Sequence, residues 1–337
     1  MTAFGVRQRS CRFALLVSLL AAAPLFAQSV ANTTRGVVVA HDGIVELPGH
    51  WRADGVTTPA RIITSSDRIA VLDPIANEVR TIELATGHAQ LARTGETPID
   101  GLFADRDLYV VTRDSRALER IGDGAKVALP ADPAFVRQAN GRLYVYSRLE
   151  GIVSEIALAP LAVRRSVRIA PFASAFDVDG RSGYLVVPHE GKIRTFSLDT
   201  MQPTGAIDVG AVPVDLAPVS GGSALSAHTL AVADPSAKKV WLIEGVQSTS
   251  QAVARGFIRG LLGLGLYANR TSQFPTGVDR VFVHGSRWLA YDSASGTLYR
   301  FTKSSSAVVA KEVAPSSFAV TADGVALWRN GRLELLR

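Results

Sequence analysis

The chain holds one cysteine in 337 residues, Cys11, and that residue precedes the longest apolar run instead of following it. A lipid-modified cysteine would stand after such a run, and a lone thiol forms neither an intrachain disulfide nor a cysteine-ligated metal cluster. The histidines, His41, His50, His88, His189, His228 and His284, are scattered, and none has the His-x-His, His-x-x-x-His or Glu-x-x-His spacing that places two ligands on one metal. A Gly-x-Ser-x-Gly elbow and a phosphate-cradling glycine loop are both missing, so the usual sequence signs of a serine hydrolase or a nucleotide enzyme are absent. Basic arms and basic stripes with interleaved aromatics are missing too, and nucleic acid is therefore not an expected partner.

The one long apolar run opens the chain. Arg7, Arg9 and Arg12 precede Ala14-Leu15-Leu16-Val17-Ser18-Leu19-Leu20-Ala21-Ala22-Ala23, and small residues follow at Ala27 and Ala31. That order is the basic, apolar and cleavage region of a secretory signal peptide. Pro24, Gln28 and Ser29 end the apolar core well short of a membrane span. The reading is a signal peptide over residues 1–27, cleaved after Ala27 with Ala31 as the alternative, and a periplasmic or secreted mature protein. Three of the 36 basic residues and none of the 30 acidic ones lie in that segment, so the whole-chain charge of +6 falls to +3 on its removal.

What is present is a repeat. An apolar strand, a polar break and a second strand recur from Ile69, Leu108, Leu143, Tyr184, Leu230, Trp288 and Val325, at spacings of 39, 35, 41, 46, 58 and 37 residues. About forty residues and four strands per unit is the spacing of β-propeller blades. Within one unit, Pro98–Phe103 reads as an inner strand, Leu108–Thr112 as the second, Ala117–Ile121 as the third and Ala125–Leu129 as the outer one. Proline stands near the start of most inner strands, at Pro59, Pro98, Pro133, Pro213, Pro275 and Pro315, where no ladder donor is lost. The last unit stops after its third strand, while Gly36–Ala40 and Gly43–Leu47 have no inner strand of their own. The expected fold is an all-β, seven-bladed β-propeller over residues 59–337, closed by a strand from the N-terminal segment 28–58. Eight blades would follow if residues 36–58 made a partial blade.

Residues 59–337 resemble the YVTN-type seven-bladed propellers of bacterial envelopes, in the wider company of NHL and gluconolactonase-like propellers. The carriers are Leu108-Tyr109-Val110-Val111-Thr112, Leu143-Tyr144-Val145-Tyr146-Ser147 and the unit from Val232-Ala233-Asp234-Pro235 to Lys239-Val240-Trp241-Leu242-Ile243. The resemblance implies a ring whose members bind partners, carry cofactors or catalyse. A calcium site of the gluconolactonase kind needs acidic and amide side chains at the channel mouth. Here Asn77, Asn140, Asn269 and Asn330 stand mostly at turns, so no ligand set carries over.

Two sets of residues are candidates for function. The 58-residue interval carries about twenty residues beyond the repeat, an insertion over 246–274 in the fifth blade. Val253, Phe257 and Leu261 recur at a spacing of four, as do Ala254, Ile258, Leu262 and Leu266, which predicts a short helix. Arg255, Phe257, Ile258, Arg259, Leu261 and Leu262 would either cover an edge of the ring or form an interaction helix, with peripheral membrane contact through residues 250–268. The second set is Arg61, Asp100, Asp215 and Arg280, which fall near the third position of their inner strands, with Phe135 and Phe176 in that place elsewhere. Opposed charges there either bind a small polar ligand or neutralise one another in a wet channel. The combined expectation is a monomeric binding or assembly module for an envelope protein or small polar ligand. It needs no cofactor, although a divalent metal is compatible with it. The alternative is a metal-dependent lactonase- or lyase-like enzyme at the channel mouth.

Overall fold

The computed structural model describes residues 30–41, 43–55, 61–209, 212–219, 229–244, 268–284, 287–302 and 305–337. These form eight antiparallel sheets, seven of four strands and one of three. The inner strands are Val30–Thr33, Arg61–Thr64, Pro98–Ala104, Pro133–Ala139, Ala175–Val178, Asp215–Val219, Arg280–His284 and Phe318–Val320, numbered here as blades 1 to 8. Each inner strand lies against the next, and that of blade 1 lies against that of blade 8, so the ring is closed.

The packing shows why a β-propeller suits this sequence. The second strands, such as Arg68–Asp73, Asp107–Thr112 and Arg142–Ser147, are buried from their second residue to their last. A strand covered on both faces needs a continuous apolar run, which is what the repeated phrase supplies. The outer strands, such as Gln202–Asp208, are mostly exposed. The buried apolar side chains fall into eight clusters, one at each junction between neighbouring blades.

Three expectations are corrected. The ring has eight blades, not seven, because residues 30–54 build a complete sheet of their own. Its inner strand, Val30-Ala31-Asn32-Thr33, is only four residues long and has no leading proline, so the repeat becomes legible only from blade 2 onward. Within the described residues no N-terminal strand pairs into the last sheet, whose strands are Phe318–Val320, Val325–Arg329 and Arg332–Leu336. Closure instead rests on side chains: Val30, Val37 and Val39 pack on Ala319 and Trp328, and the His41 ring stacks on Trp328 at 4.9 Å. The structure also contradicts the helical insertion. The described part of the 246–274 interval is a strand, Ala268–Gln273, paired with Lys239–Glu244 as the outer strand of blade 6. Among the described residues the one helical element is the 3-10 turn Pro188–Glu190. Arg255, Phe257, Ile258, Arg259, Leu261 and Leu262, like the signal peptide over 1–27, lie outside the described residues.

Polar side chains close the turns. Asp73, Asp234 and Asp292 end the second strands of blades 2, 6 and 7, and each carboxylate accepts backbone N–H groups two or three residues on. These are Asx turns, with aspartate bonding the backbone just ahead of it. Tyr146 and Tyr291, both fifth in their second strands, donate to Ala170 O at 2.8 Å and Val313 O at 2.6 Å, fixing the crossover to the next blade.

Candidate functional site

Strand register places the charged residues. Arg61, Asp100, Phe135, Ala175, Asp215 and Arg280 each sit opposite the fifth residue of a six-residue second strand, at the same level of blades 2 to 7. Phe176, expected at this level, is one residue out of step, and Ala175 takes its place. One residue of slip changes the face of a strand.

Around Asp100 the ring is knit by charge. Its carboxylate meets Arg61 of blade 2 at 2.8 Å and Arg137 of blade 4 at 3.1 Å, and it accepts the Val136 N–H of blade 4 at 2.9 Å and the Gly101 N–H at 2.9 Å. Asp100 is buried, so this arrangement satisfies a desolvated charge with four donors. Gly101 makes the close approach possible: a Cβ there would lie 2.6 Å from Tyr109 O and 2.8 Å from Ile63 Cδ1 of blade 2. Burial lowers the affinity of the Arg61 guanidinium for its proton, and Asp100 opposes that shift. Arg137 also lies 3.7 Å from Asp177 of blade 5. An ionic chain Arg61–Asp100–Arg137–Asp177 therefore runs across blades 2 to 5.

Asp215 and Arg280 form a second, separate group on blades 6 and 7. Asp215 accepts the Val281 N–H at 3.0 Å, the same inter-blade bond that Asp100 makes to Val136. Burial pushes its carboxyl up to about 6, against the opposing pull of the Val281 N–H and of Arg280. Burial likewise lowers the Arg280 guanidinium below its ordinary value, with Asp215 and Asp279 opposing. The structure thus joins Arg61 with Asp100 and sets Asp215 near Arg280, but it does not gather all four into one constellation. Arg137 and Asp177 were missed, although a period-two search from Phe135 and Ala175 would have reached both.

Between Asp177 and the inner strands of blades 6 to 8 and 1 lies a cavity of about 440 Å³. Ala217, Pro218, Val281, Phe282, Val283, Phe318, Ala319 and Val320 make its wall, with Asn32, Asp177 and His284 as the polar members. Phe282 and Phe318 meet edge to face at 5.1 Å. Among the described residues no three histidine, aspartate or glutamate side chains are placed to hold a metal ion.

The two faces of the ring differ as well. Because inner and second strands run antiparallel, the turns between second and third strands share one face with the crossovers between blades; the remaining hairpin turns occupy the other. Ile75, Leu149, Phe172 and Val212 all stand on the crossover face, exposed to 75%, 55%, 45% and 45%. The other strongly exposed large apolar side chains, Leu91, Val163, Val308, Leu333 and Leu335, lie on outer strands or on the third strand of blade 8. Phe172 has φ +56 and donates its N–H to Arg148 O at 2.9 Å, which holds it beside the turn that carries Leu149. A bulky residue at positive φ is strained, and Phe172 holds that conformation with its ring exposed.

No family model matches this chain, and no curated protein matches it either. Solved structures do. The chain is similar to Kuenenia stuttgartiensis hydrazine synthase, at 14% identity over 82% of this chain and 96% of that one, with a TM-score of 0.55. It is similar to the Neurospora crassa Pan2 WD40 domain, at 10% identity over 79% and 85%, with a TM-score of 0.56. It is also similar to a chain of a mitotic checkpoint complex, at 9% identity over 83% and 90%, with a TM-score of 0.59. At such identities the likeness speaks for architecture alone, and the architecture it supports is the β-propeller.

Proposed function

We infer that this protein is a periplasmic or secreted binding and assembly module that docks an envelope protein on the crossover face of its ring. The observation that carries the reading is the exposed pair Leu149 and Phe172, the second of them kept at positive φ by a hydrogen bond from its own N–H. Aromatic side chains are enriched at binding hot spots, and clustered exposed apolar side chains mark docking surfaces. Structural likeness to a WD40 domain and to a chain of a checkpoint complex agrees with a ring used as an assembly platform. The secretory part of the reading rests on residues 1–27. Val30 is buried at the junction of blades 1 and 8 and Ala31 at that of blades 1 and 2, so cleavage after Ala31 would remove half of an inner strand, whereas cleavage after Ala27 leaves it whole.

The test joins fractionation with crosslinking. N-terminal sequencing of the protein from periplasm or medium is expected to begin at Gln28. Photocrosslinking from position 150, in the turn beside Leu149, is expected in cells to give one dominant protein adduct, lost when L149S/F172N is added. Asparagine tolerates positive φ, and both sites are exposed, so the variant should melt within about 0.5 kcal/mol of the parent. Undiminished adducts in the variant, or none from the parent, would remove the docking surface.

A further inference from the structure

We propose that the channel cavity is a binding site for a small amphiphilic cation, an ammonium group on a ring-sized apolar body, with Asp177 as the counter-charge. Three observations converge. The cavity holds about 440 Å³, within the range of small-molecule sites, and its wall is apolar on the side of blades 6 to 8. Its one carboxylate, Asp177, comes from the inner strand of the adjoining blade 5. Asp177 Oδ1 accepts the Val178 N–H at 2.8 Å and lies 3.7 Å from Arg137 Nε, beyond hydrogen-bond reach, while Oδ2 takes no hydrogen bond from the described residues.

Arg137 reaches Asp177 only through Nε at 3.7 Å, as a loose ion pair to Oδ1 and not a hydrogen bond. Its Nη1 is held by Asp100 at 3.1 Å and by Val136 O at 2.8 Å, and its guanidinium lies over the Phe135 ring at 5.7 Å. Asp177 is therefore a half-buried acid whose Oδ2 takes no donor from the described protein groups. Burial raises its carboxyl above the ordinary range, with Arg137 opposing the shift. An ammonium donor supplies what the protein leaves out, a direct partner for Oδ2, and the aromatic lining from Phe282 and Phe318 suits an apolar ring. Anions are disfavoured, since no cationic side chain lines the cavity among the described residues.

The experiment uses the intact protein and three probes of one size: phenethylamine, 2-phenylethanol and phenylacetate, titrated by calorimetry and ligand-observed NMR. Phenethylamine is expected to saturate at about 1 mM or tighter, a reasonable limit for so small a ligand. The alcohol should bind roughly tenfold more weakly and the acid not at all, with D177N reducing the amine to the level of the alcohol. A217M, which fills the wall without touching charge, should weaken amine and alcohol alike, and it stands as the test if D177N fails to fold. Equal binding of amine and acid, or amine binding untouched by both D177N and A217M, overturns the site. The proposal does not depend on partner docking: L149S/F172N should bind phenethylamine unchanged, so either idea can fail without the other.

Discussion

Asp100 and Asp215 occupy the same level of blades 3 and 6, and each carboxylate accepts the N–H of a valine in the next blade's inner strand, Val136 or Val281. Beyond that shared bond their surroundings diverge. Asp100 adds two arginines at 2.8 and 3.1 Å, while Asp215 sets the field of Arg280 and the Leu216 N–H against the cost of burial and the nearby Asp279 charge. One backbone geometry therefore serves as an ionic joint in one half of the ring and as a poorly compensated charge in the other. The difference shows which half of the channel is built to hold its shape.

Replacing each aspartate by asparagine is the sharpest way to break this comparison, because the amide keeps one oxygen for the valine N–H but loses the charge and the second acceptor oxygen, which in Asp100 takes the Gly101 N–H. D100N leaves Arg61 and Arg137 facing each other across a neutral group. Removing one partner of a buried ion pair costs about 3–5 kcal/mol, so the melting temperature should fall by roughly 10 °C in a protein of this size. An unchanged melting temperature would mean that solvent in the channel, not Asp100, compensates the arginines.

D215N should act in the opposite sense. A carboxyl held at about 6 in the fold and near 3.8 when unfolded binds its proton more tightly in the native state. Its contribution to stability is complete below pH of about 4 and is lost as the pH rises through about 6. At pH 7.5 the parent carries the charged form at a cost of about 3 kcal/mol, which asparagine removes. Melting curves from pH 4 to 8 should show D215N above the parent at pH 7.5 and equal to it at pH 4. A variant that is less stable at pH 7.5 would show that the Arg280 field outweighs burial.

How much of this was legible in the sequence follows from what each signal measures. Strand runs such as Leu143–Ser147 report burial on both faces directly, so the propeller was readable from them. The blade count was lost at Val30–Thr33, because four residues without a proline carry no period of their own. Arg61 and Asp100 were found because each begins or follows a strand start marked by proline or repeat spacing. Arg137 and Asp177 were missed because only the register of neighbouring strands shows that they share one ionic chain with Asp100. Phe172 gave no sequence sign at all: its exposure depends on a positive φ in a crossover, a property of the fold and not of its neighbours in the chain.

The smallest effect is also the most diagnostic of the Asp215 half. Arg280 and Asp215 oppose each other's shifts through space, so R280M removes the one cation that holds the Asp215 carboxyl down. The carboxyl should then titrate at a higher pH than in the parent, which carbon-detected NMR of the Asp215 side chain reads directly. Because the neutral acid still accepts the Val281 N–H, the fold should tolerate the change at pH 5 better than at pH 8. Made in the other half, R137M strips one of two arginines from Asp100 and leaves Arg61 at 2.8 Å to hold the charge. Its cost should therefore vary less with pH between 5 and 8 than that of R280M. If the two variants show the same pH dependence, the ring has one electrostatic environment, and the contrast between its halves belongs to distances alone.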